Sequence, residues 1–146
     1  MTDATQNGSG HHAGGCLCGA VRYTLHQDPA NIAICHCRMC QLWTGSPYFL
    51  CFTVPDDDID WTGPVVQWRS SDIAVRAHCG TCGTPLYWRG DGKDGAYDVS
   101  LVTLDNPDGL RAEDQIWTSA ALKWPGPVPG LPSYPEEDRD APASSA

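Results

Sequence analysis

The sequence predicts a mainly β fold, strand-rich and pinned by metal, on three observations. Apolar residues fall in short runs of strand length, as in Val21-Arg22-Tyr23-Thr24-Leu25, where apolar and polar alternate. A helix is expected only at Ala112–Trp124 and in a tight turn between closely spaced cysteines. Seven of the eight cysteines stand in three clusters: Cys16 and Cys18, then Cys35, Cys37 and Cys40, then Cys79 and Cys82. That spacing suits metal ligands better than disulfides.

Along the chain, residues 1–13 are small and polar and are expected to be a disordered tail. His11 and His12 there can lend a nitrogen to a metal or simply be solvated. Ordered structure is expected from Gly14, where glycines on both sides of Cys16-Leu17-Cys18 let the backbone fold around a bound pair. Val21–Leu25 reads as a half-buried strand ended by Gln27-Asp28-Pro29, and Asn31–Ile34 as a strand leading into the central cysteines. Pro47–Val54 is the most apolar run, too short for a typical helix, and reads as a buried strand. Cys51 lies inside it, either as a small core residue or as a fourth ligand beside the central three.

Pro55 and Asp56–Asp58 make an acidic corner without the spacing of a calcium loop. Val65–Ser70 and Ile73–His78 read as two strands that lead into Cys79-Gly80-Thr81-Cys82-Gly83, a zinc-knuckle sequence. Pro85–Trp88 continues from it. The glycine-rich Gly90–Gly95 reads as a hairpin loop rather than a phosphate cradle, and Tyr97–Leu104 as the next strand. Prolines 125, 127, 129 and 132 oppose regular structure after Trp124. One domain over residues 14–135 is expected, followed by a disordered acidic tail at 136–146.

Nine basic against 18 acidic residues give a formal net charge of −9. An acidic surface repels phosphate backbones and anionic lipids, so neither nucleic acid nor membrane is an expected partner. The first residues show no basic-then-apolar pattern of a signal peptide. A cytoplasmic location follows as an expectation, with cysteines kept reduced and free for metal.

Four thiolates close a structural zinc site, whereas three leave one position for a water or substrate. Cys35 and Cys37, two apart on an extended strand, leave from one face. Cys40 follows one tight turn later. Spacing alone leaves open which clusters share an ion, including one sulfur-bridged cluster.

Taken together, Gly15-Cys16-Leu17-Cys18-Gly19, Cys35-His36-Cys37-Arg38-Met39-Cys40 with Gly45-Ser46, and Cys79-Gly80-Thr81-Cys82-Gly83-Thr84-Pro85-Leu86 resemble the glutathione-dependent formaldehyde-activating enzyme family (the GFA, or CENP-V/GFA, domain). Leu104-Asp105 and Leu131-Pro132-Ser133-Tyr134 resemble its later segments, so the likeness runs from about Gly15 to Pro135. It implies a small β-tent-like zinc fold of twisted antiparallel sheets with little helix. It also implies two zinc ions, a structural one on Cys16, Cys18, Cys79 and Cys82 and a catalytic one on Cys35, Cys37 and Cys40. The implied activity is that of a carbon–sulfur lyase joining a glutathione-like thiol to a small aldehyde such as formaldehyde, giving an S-hydroxymethyl adduct. His78 and Gln115 are departures, standing where the family more often shows an aromatic residue and, nearby, a histidine.

A substrate thiol beside such a zinc is expected to be held as thiolate, the alternative being polarisation of the aldehyde oxygen. Anionic glutathione calls for local positive charge, for which Arg38 is the first candidate and Arg22 and Arg76 the next. His36 points away from the face shared by Cys35 and Cys37 and suits packing or proton transfer. The competing function is a non-catalytic binding or chaperone module of the same zinc fold.

Overall fold

In the computed structural model, which describes residues 12–92, 95–140 and 144–145, the chain is mainly β with one short helix. In chain order the elements are β1 (Ala13–Gly15), β2 (Arg22–Leu25), β3 (Ala30–Cys35), α1 (Arg38–Thr44), β4 (Phe49–Pro55) and β5 (Ile59–Thr62). There follow β6 (Val65–Ser71), β7 (Ala74–Cys79), β8 (Pro85–Gly90), β9 (Ala96–Ser100), β10 (Asp114–Ile116), β11 (Pro132–Ser133) and β12 (Ser144–Ser145). The backbone divides into two compact units. The first takes the described residues up to Ala30 with Phe52–Gly109, and the second takes Asn31–Cys51 with the described residues from Leu110 onward. Most of the tail expected at 1–13 lies outside the described residues, as do 141–143 and 146 of the C-terminal tail.

In the first unit, β2 pairs antiparallel with β1 and with β5. Alternation along β2 turns Tyr23 and Leu25 inward and Arg22 and Thr24 outward, as the pleat demands. The close pairing of β1 on β2 depends on Gly14, where a Cβ would stand 2.4 Å from the Tyr23 hydroxyl and from the Thr103 carbonyl. Strands β6 to β9 form an antiparallel meander, Val65 opposite Cys79, Ala77 opposite Tyr87 and Tyr87 opposite Val99.

Val21, Phe52, Leu86 and Val99 are fully buried, and burying such side chains stabilises by about 1.5–3 kcal/mol each. Tyr23, Trp61, Tyr87 and Tyr97 stack with centroids 4.6–5.9 Å apart, at the offset and tilted angles aromatic quadrupoles favour.

The second unit is built on β3. Strand β10 runs parallel to it, with Gln115 opposite Ile34 and Ile116 opposite Cys35. Strand β11 lies parallel to β10, and β12 antiparallel to β11. This pairing replaces the helix expected at Ala112–Trp124, which is β10 followed by a 3-10 turn at Thr118–Ala120.

The helix expected there loses to tertiary hydrogen bonding. The Glu113 amide donates to the Ile32 carbonyl (2.8 Å) and the Tyr134 amide to the Gln115 carbonyl (2.9 Å). Trp117 then takes a left-handed conformation (φ 58°, ψ 35°), which stops any helix through it.

Further differences are local, among them β1, which already begins at Ala13, and β11, which forms at Pro132–Ser133 although the prolines after Trp124 are expected to oppose regular structure. The cysteine turn continues as α1. The strand expected at Tyr97–Leu104 ends at Ser100 in a 3-10 turn over Leu101–Thr103. Strand β5, hidden behind the acidic run, is an added element. Asp114 in β10 binds Arg139 through two hydrogen bonds of 2.7 and 3.1 Å. Among the described residues no helix is long and apolar enough to cross a membrane.

Candidate metal centres

In the first unit the sulfurs of Cys16, Cys18, Cys79 and Cys82 all lie within 4.8 Å of one another. Local folding brings each pair in. The Cys16 amide donates to the Val21 carbonyl (3.1 Å) and the Gly19 amide to the Cys16 carbonyl (3.2 Å), closing a small loop around Cys18. The Gly83 amide donates to the Cys79 carbonyl (2.9 Å) and the Cys79 amide to the Thr84 carbonyl (3.0 Å), closing the knuckle. Backbone amides then point at sulfur, Val21 N–H at Cys16 Sγ (3.3 Å) and Thr81 and Cys82 N–H at Cys79 Sγ (3.3 and 3.4 Å).

The S···S separations are 3.6 Å for Cys16–Cys18 and 3.9 Å for Cys18–Cys79. Four sulfurs held at about 2.3 Å in a tetrahedron stand about 3.8 Å apart, so this donor set fits zinc. The pKa of Cys82 is drawn down to about 5, first by the Thr84 hydroxyl and then by the Thr84 amide. Cys18 is pushed up to about 11, the Ala20 amide opposing while burial and the neighbouring sulfurs raise it.

In the second unit Cys35, Cys37 and Cys40 also have their sulfurs within 4.8 Å of one another, and among the described residues no fourth Cys, His, Asp or Glu joins them at that distance. Cys35 ends β3. Cys37 caps α1, its sulfur accepting from the Cys40 amide at 3.4 Å, and Cys40 lies buried in the helix. Gly45 closes α1 in a left-handed conformation (φ 68°) with its amide on the Gln41 carbonyl at 2.9 Å. The Cys35 thiol is raised well above the ordinary range by its hydrogen bonds with Cys37 and then Cys40, and by burial. This group of three suits a soft cation such as zinc.

Cys51 is buried in β4 and is not one of the grouped sulfurs. His11 lies outside the described residues, and His12 pairs with Asp28 at 2.5 Å rather than joining a sulfur group. Arg38, the first residue of α1, is exposed and donates from Nη1 to Gln41 Oε1 at 3.2 Å. Of the two arginines ranked after it, Arg22 is held by Asp105 through two hydrogen bonds, and Arg76 is buried with Nη1 on the Ser70 hydroxyl at 2.9 Å.

Of the residues that brace the central cysteines, sequence reasoning reached His36 as a packing or proton-transfer residue and singled out Gln115 only as a departure from the family pattern, and it gave Gln41 no role. His36 is 1% exposed. Its Nε2 meets Gln115 Oε1 at 2.8 Å and its ring meets the edge of Tyr48 at 5.4 Å between centroids. Gln41 Nε2 donates to the carbonyls of His36 (2.7 Å) and Ala120 (3.0 Å). Gln41 gives one signal in the sequence, a polar residue between Cys40 and Leu42-Trp43, whereas Gln115 follows Glu113-Asp114 and gives none from its neighbours.

Three comparisons bear on these centres. A family model described as glutathione-dependent formaldehyde-activating enzyme matches residues 11–120. A Schizosaccharomyces pombe protein named as an uncharacterized lyase is 30% identical over 105 residues, 72% of this chain and 77% of that protein. A crystal structure of a Rhodobacter sphaeroides protein superposes with a TM-score of 0.53 at 22% identity, covering 68% of this chain and 90% of that one. At that identity the structural likeness speaks for the fold alone.

Proposed function

The chain belongs to the glutathione-dependent formaldehyde-activating enzyme family and is lyase-like, and from that premise we propose that it is a zinc-dependent carbon–sulfur lyase joining a glutathione-like thiol to a small aldehyde such as formaldehyde. The observation that carries the proposal is the group formed by Cys35, Cys37 and Cys40, three sulfurs within 4.8 Å of one another that no fourth Cys, His, Asp or Glu among the described residues joins at that distance. Zinc held there supplies a Lewis-acidic position at which a thiol is kept as thiolate at neutral pH.

In the forward reaction a sulfur–carbon bond forms, the carbonyl π bond opens onto oxygen, and the thiol proton ends on that oxygen. The chain's own contribution is to position and to attract. Arg38 offers a guanidinium one residue from Cys37 for a substrate carboxylate. Between Asp28 and Asp56 the sequence holds no acidic residue, so the local chain sets no like charge against an anionic thiol. His36 braces the turn, since its Nε2 is committed to Gln115 in a buried position. Cys16, Cys18, Cys79 and Cys82 hold the structural ion.

The test combines a metal count with a thiol-plus-aldehyde assay on the purified protein. Two zinc ions per chain and S-hydroxymethyl adduct formation are expected, with thiol binding shifting the absorption of the cobalt-substituted protein. A cobalt spectrum that ignores thiol points instead to a binding or chaperone module.

A further inference from the structure

We propose that Gln115 is a positioning residue for the Cys35–Cys37–Cys40 centre, acting through His36 on the peptide that carries two of the three sulfurs; this rests on the reading that the centre holds zinc. Gln115 is fully buried, and its carboxamide uses every hydrogen-bonding site it has. Oε1 accepts from His36 Nε2 (2.8 Å) and from the Val128 amide (3.0 Å). Nε2 donates to the Val128 carbonyl (2.7 Å) and to the Ser133 hydroxyl (2.9 Å).

The paired bonds to Val128 fix which end of the amide is oxygen, because exchanging the two atoms would set N–H against N–H and oxygen against oxygen. Oxygen therefore faces His36, and the ring nitrogen Nε2 is the donor. His36 is also held by its main chain, the amide donating to the Ile116 carbonyl (3.1 Å) and the carbonyl accepting from Gln41 (2.7 Å). Cys35 and Cys37 flank this residue directly, so rotation of its peptides carries both sulfurs off a common point.

Ligand-orienting hydrogen bonds around a metal commonly contribute 10–100-fold in its affinity. Gln115 stands one bond further out, holding the residue between two of the cysteines and tying the cysteine turn to the proline-rich segment at Val128 and to β11 at Ser133.

The full-length chain tests the idea, with Gln115→Met, His36→Phe and their double variant measured by competition between the protein and a chromophoric chelator for zinc. Cys40→Ser identifies which release step belongs to the three-cysteine centre. Gln115→Met and His36→Phe are each expected to weaken zinc at that centre by about 10–100-fold, the double variant no further than the worse single one, with the four-cysteine centre unchanged. Ser133→Ala, which leaves the Gln115–His36 bond in place, is expected to lower thermal stability with little change in zinc affinity.

Wild-type affinity in Gln115→Met, or equal weakening at both centres, overturns the positioning role and leaves the proposed reaction standing. Ser133→Ala weakening zinc as much as Gln115→Met also overturns it, reducing Gln115 to a packing residue. The expected zinc pattern in a chain whose wild type joins no thiol to aldehyde supports the positioning role and overturns the reaction.

Discussion

Replacing Cys79 by serine strikes the best-fitting metal centre at its most buried ligand, which is 1% exposed and receives two backbone N–H groups. Structural zinc contributes about 10–16 kcal/mol of apparent binding energy, so a quarter share for one of four ligands is about 2.5–4 kcal/mol. A serine oxygen sits closer to its Cβ than sulfur does and draws back from the Thr81 and Cys82 amides. Leaving one buried donor unmet costs about 1–3 kcal/mol more. The sum, about 4–7 kcal/mol, compares with about 5–15 kcal/mol for a whole domain. Cys79→Ser is therefore expected to lose one zinc per chain and to unfold at much lower urea, if it folds at all. Metal analysis with a urea titration followed by tryptophan fluorescence reads both quantities. Unchanged zinc content and an unchanged midpoint would refute the argument that these four sulfurs form a structural centre.

Cys40→Ser, by contrast, is expected to keep the fold and the other zinc while losing thiol–aldehyde activity; equal destabilisation by Cys40→Ser and Cys79→Ser would erase the division of labour between the centres. Gly14→Ala forces a Cβ to within 2.4 Å of Tyr23 and Thr103, and overpacking of that kind costs about 1–3 kcal/mol, read as a drop of several degrees in thermal melting. His26 has its pKa raised, chiefly by the hydrogen bond to Asp60 at 2.7 Å. Its small contribution to stability is fully present below the unfolded value of about 6.5 and is lost as pH rises through the raised folded value. His26→Gln is expected to flatten that part of the stability–pH curve, and a slope identical to wild type would count against it.

Features that depend on near neighbours along the chain are legible before any fold is known. The two-residue spacing of Cys35 and Cys37, the further step to Cys40 and the glycines of the Cys79–Gly83 knuckle set local geometry through φ, ψ and pitch alone. Alternation likewise located β2, and an unbroken apolar run located most of β4. Tertiary structure decided everything that joins distant segments. The 112–124 stretch carries enough helical pattern to mislead. It becomes β10 because the Glu113 amide bonds to Ile32 and Trp117 turns left-handed, and neither fact is encoded within a few residues. Cys16 and Cys18 meet Cys79 and Cys82 across some sixty positions, and Gln115 reaches His36 across 79. A buried amide has no periodicity of its own, and the register of β10 on β3 is what turns an ordinary glutamine into the brace of a cysteine centre.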